Sequence, residues 1–123
     1  MRQLHTDSEA QQAVQAWWNS IAQYKPMIED AFRGYATASQ RDRQRRVKEL
    51  VSFYRIISQN NHPAIADTLS MHLGQMVLHL RLSYEASLRD TKRDTHKHYQ
   101  YAQSELMKFQ QRLAHYGVIV AFA

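Results

Sequence analysis

The chemistry-bearing residues of this chain are seven histidines and an uneven distribution of arginine and lysine. Imidazole changes charge near neutrality and ligates metals, whereas guanidinium grips phosphate through paired N–H donors. His72 and His79 stand two helical turns apart, too far for one small ion, because helical ligand pairs use i,i+3 or i,i+4. His96 and His98 diverge if helical, and no cysteine is present to complete a zinc set. The chain holds no Gly-rich phosphate loop, no nucleophile elbow and no paired carboxylates. No metal, cofactor or catalytic set is therefore expected. Arg93-Asp94-Thr95-His96-Lys97-His98 is the exception to weigh, since it places an arginine and a histidine five residues apart.

Six of the sixteen basic residues lie between Arg41 and Arg55. At about 100° per residue, Arg41, Lys48 and Arg55 share a narrow arc with Arg45 beside it, opposite the Leu50/Tyr54/Ile57 face. That stripe would run about 21 Å. Arg43 and Arg46 point nearer the core edges, where they snorkel or pair with acids. A second concentration holds Arg81, Arg89, Lys92, Arg93 and Lys97, and Glu85, Asp90 and Asp94 bring it to a net +2. Cations spread along a line suit the phosphates of a strand. Expected nucleic-acid contacts are accordingly Arg41, Arg45, Lys48 and Arg55, with Arg89, Lys92, Arg93 and Lys97. The competing reading is a solvated face, with Asp42 and Glu49 partnering Arg46 and Arg45 at i,i+4.

Helices must position these groups. Three Gly and two Pro in 123 residues are too few for strands joined by tight turns. The spacing predicts a first helix over Asp7–Tyr24, with Thr6 and Glu9 at capping-box distance and Val14, Trp17, Trp18, Ile21 and Tyr24 on one face. Pro26 opens a second, to Ala38, offering Ile28, Ala31, Phe32 and Tyr35 to the core and weakened by Gly34. Gln40–Asn60 is the third, with Val47, Leu50, Val51, Tyr54 and Ile57 inward. Asn60-Asn61-His62-Pro63 breaks the chain, and Pro63 opens a fourth helix with Ile65, Leu69, Leu73, Met76, Leu80, Tyr84 and Leu88 on one face. Met71, Leu78 and Leu82 make a second apolar face, expected to meet a neighbouring subunit.

Arg89–Thr95 reads as the connection to a fifth helix, Thr95–Tyr116, whose Tyr99, Ala102, Leu106, Phe109, Leu113 and Tyr116 form a heptad seam. Gly117 ends it in the left-handed conformation. The apolar tail Val118–Ala123 folds back or enters an interface, through Val118 and Phe122. Trp17 and Trp18 are expected half in the core and half at the surface, and the tyrosines on core stripes. The expectation is an all-α, compact bundle of about five helices with a short apolar C-terminal tail, one domain over residues 1–123. The longest apolar run is six residues, against about 20 for a membrane span. No signal peptide opens the chain, so a cytoplasmic protein without membrane contact is expected.

Two resemblances add to this reading. The Arg93–His98 spacing resembles the Arg-x4–6-His motif of HEPN ribonucleases, small all-α domains, and Arg89-Asp90 with His96 fits its longer form. It implies that Arg93 would hold the scissile phosphate and His98 would move protons, although the residues between are polar here where that family commonly has apolar ones. The length, helical class and one-sided charge resemble the small helical subunits of CRISPR effector complexes. That implies a non-enzymatic part in antiviral defence within a ribonucleoprotein complex, holding RNA or single-stranded DNA through its backbone beside protein subunits, copies of itself included. The remaining alternative is a protein-interaction module or inhibitor of phage or plasmid type.

Overall fold

A computed structural model describes residues 2–34 and 38–122, with residues 2–7 described by their backbone alone. Every regular element among the described residues is helical. Four helices are long: α1 (Arg2–Ile21), α3 (Gln40–Gln59), α4 (Asp67–Leu88) and α5 (Lys92–His115). The fifth, α2 (Lys25–Arg33), has nine residues and follows α1 through a 3-10 turn at Ala22–Tyr24. The bundle thus has four long helices and a short one. None of the described helices is long and apolar enough to cross a membrane.

Several boundaries differ from expectation. The α1 backbone is helical from Arg2, so the Thr6–Glu9 spacing falls inside the helix; the side chain of Thr6 lies outside the described residues. Helix α2 stops at Arg33 with Gly34 as its cap rather than reaching Ala38, and Tyr35 lies outside the described residues. Ser39 caps α3, accepting a hydrogen bond from the Asp42 N–H at 3.1 Å. Pro63 precedes a 3-10 turn, Ala64–Ala66, rather than opening α4 itself. Helix α5 begins at Lys92, three residues early, because the α4–α5 turn needs only Arg89, Asp90 and Thr91.

Helix α4 is the centre of the core. Its Leu69, Leu73, Met76, Leu80 and Tyr84 are fully buried, with α3 (Leu50, Phe53) on one side and α5 (Ala102, Phe109, Leu113) on the other. Burying each such large side chain contributes about 1.5–3 kcal/mol. Helix α1 packs onto α5 through Trp17 and Trp18, whose rings lie 6.1 and 5.8 Å from that of Phe109. Both tryptophans are buried, which corrects their expected half-surface placement. Tyr54 departs from the core stripe in the other direction and is exposed. Tyr84 and Tyr99 donate their hydroxyls to the carbonyls of Ala31 and Phe32. Those carbonyls belong to the last turn of α2, where a helix leaves its acceptors unmatched.

Gly117 adopts φ +77° and closes α5, with the Val118 N–H on Leu113 O and the Gly117 N–H on Ala114 O. The turn sends Val118 into the core at 2% exposure and lays Phe122 against Trp18, 6.1 Å between rings. The tail thus takes the first of its two expected courses and folds back onto the bundle, with Val118 buried and Phe122 half-buried. Of the second α4 face, Met71 is exposed and Leu78 and Leu82 are half-buried.

Candidate nucleic-acid interface

The α3 arc separates into paired and unpaired cations. Arg45 lies 3.5 Å from Asp42 and 3.8 Å from Glu49, and Arg46 3.6 Å from Glu49, so acids partly offset both. Arg41, Lys48 and Arg55 are exposed and make no ion pair among the described residues. Arg43 and Arg46 sit half-buried at the inner edge, as their wheel positions require.

The second concentration is organised by the α4–α5 turn. Asp90 takes φ +59°, the Thr91 N–H reaches Ala86 O at 3.0 Å and the Asp90 N–H reaches Ser87 O at 3.3 Å. This is the same helix-ending motif as at Gly117, with aspartate in the left-handed position. Thr91 then precedes α5 directly, so Lys92 and Arg93 occupy its first turn. Cations there add to the positive end of the helix dipole instead of offsetting it, and Asp94 is the one acid in that turn. Arg89, Lys92, Arg93 and Lys97 are exposed without an ion pair among the described residues, whereas Arg81 pairs with Glu85 at 3.2 Å.

Register sets the start of each concentration at the same level along the bundle. Helices α4 and α5 run antiparallel, joined by Ser83 Oγ–H donating to Thr95 O (2.8 Å), His79 Nδ1 against His98 Nδ1 (2.9 Å) and His72 Nδ1–H donating to Glu105 Oε2 (2.6 Å). Helix α3 packs on α4 across the 60–66 connection, and the Tyr54 ring lies 3.8 Å from where a Gly74 Cβ would stand. Counting back from that contact sets Arg41 level with the last turn of α4. Arg41 therefore shares one end of the bundle with Arg89, Lys92 and Arg93. Lys48 follows about 10 Å further along α3, and Arg55 about 21 Å from Arg41, towards the other end.

Arg93 and His98 do not converge, because five residues turn a helix by about 140°. Arg93 faces solvent, while His98 faces His79. That histidine pair escapes single-helix spacing rules because its members come from different helices. A hint was present in the matched seven-residue intervals, His72 to His79 on α4 and His98 to Glu105 on α5. The His79 pKa is lowered from its usual value by burial first and then by the charge of His98, with Glu105 opposing. Among the described residues no three His, Asp or Glu side chains gather closely enough to hold a metal ion. The chain matches no protein-family model, no curated protein and no solved structure.

Proposed function

We propose that the protein is a non-enzymatic nucleic-acid-binding subunit that holds a strand by its phosphates without reading its bases. The observation that carries this reading is that Arg41, Arg89, Lys92 and Arg93 stand level at one end of the bundle, with Lys48 next along α3 and Lys97 next along α5, all six exposed and unpaired among the described residues. Each cation that meets a phosphate releases condensed counterions, so six contacts give a plot of log affinity against log salt a slope of about −4 on a single strand. Sequence specificity would come from a guide or from partner proteins. In the finer form of the proposal the chain works inside a ribonucleoprotein assembly, like the small helical subunits of CRISPR effector complexes, with Met71, Leu78 and Leu82 towards a neighbour. A ribonuclease using Arg93 and His98 has less support, since the two side chains leave α5 in different directions and His98 is occupied by His79.

Fluorescence anisotropy with labelled RNA and DNA across a salt series tests the reading. Arg89→Ala/Lys92→Ala/Arg93→Ala should flatten the slope by about 2, while Arg55→Ala, distant from that end, should leave it unchanged. Binding that ignores salt, or no binding at low salt, would refute the proposal.

A further inference from the structure

We propose that the ligand is single-stranded and lies along the outer face of α5, where Tyr101 stacks on one of its bases. The inference rests on the nucleic-acid reading above and names the kind of strand that site takes. Arg93, Lys97, Tyr101, Ser104, Lys108 and Arg112 follow one another at intervals of four, four, three, four and four residues. All six are exposed, so they form a single stripe about 28 Å long that starts at the basic end of the bundle. The inward heptad seam occupies the opposite side of the same helix.

An aromatic ring interrupts this line of cations. Tyr101 keeps 47% of its surface in solvent, although a tyrosine in a helix seam would bury most of it. Its ring rests on His79, with centroids 3.9 Å apart, and His79 in turn stacks on His98 at 5.1 Å. The histidine pair backs the tyrosine and holds it in place, leaving the rest of the ring open to a partner. Cations flank it: Lys97 one turn before, Arg93 two turns before and Lys108 two turns after. Lys108 leans 3.6 Å from Glu105 and Arg112 lies over Tyr116, so Arg93 and Lys97 are the unpaired members.

Acids hardly intrude. Helix α5 contains only Asp94 and Glu105, and Glu105 is turned inward, buried against His72. A positive track with an interposed aromatic is the arrangement that binds single strands, because every unpaired base offers a face to stack on. A duplex keeps its bases stacked inside and could use only the cations. Stacking and phosphate neutralisation thus predict separable effects.

The test measures binding of labelled oligo(dT), oligo(U) and a blunt DNA duplex to the full chain, to Tyr101→Ala, Tyr101→Phe and Arg93→Ala/Lys97→Ala, with helicity checked by circular dichroism. Tyr101→Ala should weaken single-strand binding about tenfold, at an unchanged salt slope and with duplex binding unaltered. Tyr101→Phe should retain wild-type affinity, since the ring and not the hydroxyl stacks. A preference between oligo(dT) and oligo(U) under those conditions supports the proposal and identifies the strand. If Tyr101→Ala binds normally, or loses equally on duplex, while Arg93→Ala/Lys97→Ala still weakens binding, stacking is refuted and the phosphate reading stands. No binding by the wild-type chain at low salt would overturn both.

Discussion

Replacing Asp90 in turn by Gly, Asn, Ala and Val separates the backbone requirement of the α4–α5 turn from its charge. At φ +59° the residue lies in the left-handed region, where an L side chain costs about 1–2 kcal/mol and Asp or Asn somewhat less, through local hydrogen bonding. Glycine removes the steric cost but loses about 0.5–1 kcal/mol more chain entropy than alanine on folding. The net expectation for Asp90→Gly is a gain of about 0.5 kcal/mol. Asp90→Ala should lose about 1 kcal/mol and the β-branched Asp90→Val about 2 kcal/mol. For 123 residues the unfolding entropy is about 0.26 kcal/mol/K, so those changes move Tm by about +2, −4 and −8 °C.

Charge complicates the comparison, because Asp90 stands among Arg89, Lys92 and Arg93. Exposed pairs contribute at most about 1 kcal/mol and salt screens them, so melting curves at high salt isolate the backbone term. Asp90→Asn keeps the left-handed tolerance and removes the charge. It should match wild-type stability at high salt while binding nucleic acid more tightly at low salt. An alanine variant as stable as glycine would refute the argument, since the left-handed cost to alanine is what must outweigh the extra chain entropy of glycine.

Two further outcomes follow from the core and the α4–α5 seam. The folded state binds a proton at His79 less readily than the unfolded chain does, so stability is present above about pH 6.5 and is lost as pH falls from there towards the lowered value. Urea titrations should therefore show a smaller fall between neutral and acid pH in His79→Gln than in wild type, and parallel profiles would contradict that origin. Phe109→Ala, which empties the site between Trp17 and Trp18, should cost about 3–5 kcal/mol and erase much of the near-ultraviolet dichroism. A loss below about 1 kcal/mol would mean that α1 does not pack on α5.

Helical class and about half of the helix ends could be read from the sequence because they rest on local chemistry. The Asn60–Pro63 break and Gly117 carry their backbone consequences in their residue types. The α4–α5 turn could not be read this way. It has neither Gly nor Pro, its left-handed residue is an aspartate, and so Arg89–Thr95 looks like a seven-residue polar loop although Lys92, Arg93 and Asp94 are helical. Thr6 and Glu9 mislead for the opposite reason, since a capping-box spacing also arises inside a helix that starts earlier. Trp17 and Trp18 occupy adjacent positions about 100° apart, which implies one inward and one outward ring only if a single neighbour covers the helix. Phe109 lies against both rings and Phe122 adds to the cover of Trp18, so both tryptophans are buried.

The candidate site shows the limit more sharply. A helical wheel treats one helix at a time, and it grouped Arg41, Lys48 and Arg55 as one surface because their directions agree. Direction is only half of position, and the 21 Å of rise between Arg41 and Arg55 sets them towards opposite ends of the bundle. The residues that join Arg41 lie almost fifty positions away in the chain, and antiparallel register alone brings them level. Tyr101 was hidden by the same kind of reasoning, since a tyrosine on a helix with a strong apolar seam is counted as core until the seam's exact side is known. Once α4 has taken that seam, the cations of α5 and its exposed ring fall on one outward line, and it is along that line that the proposed strand would lie.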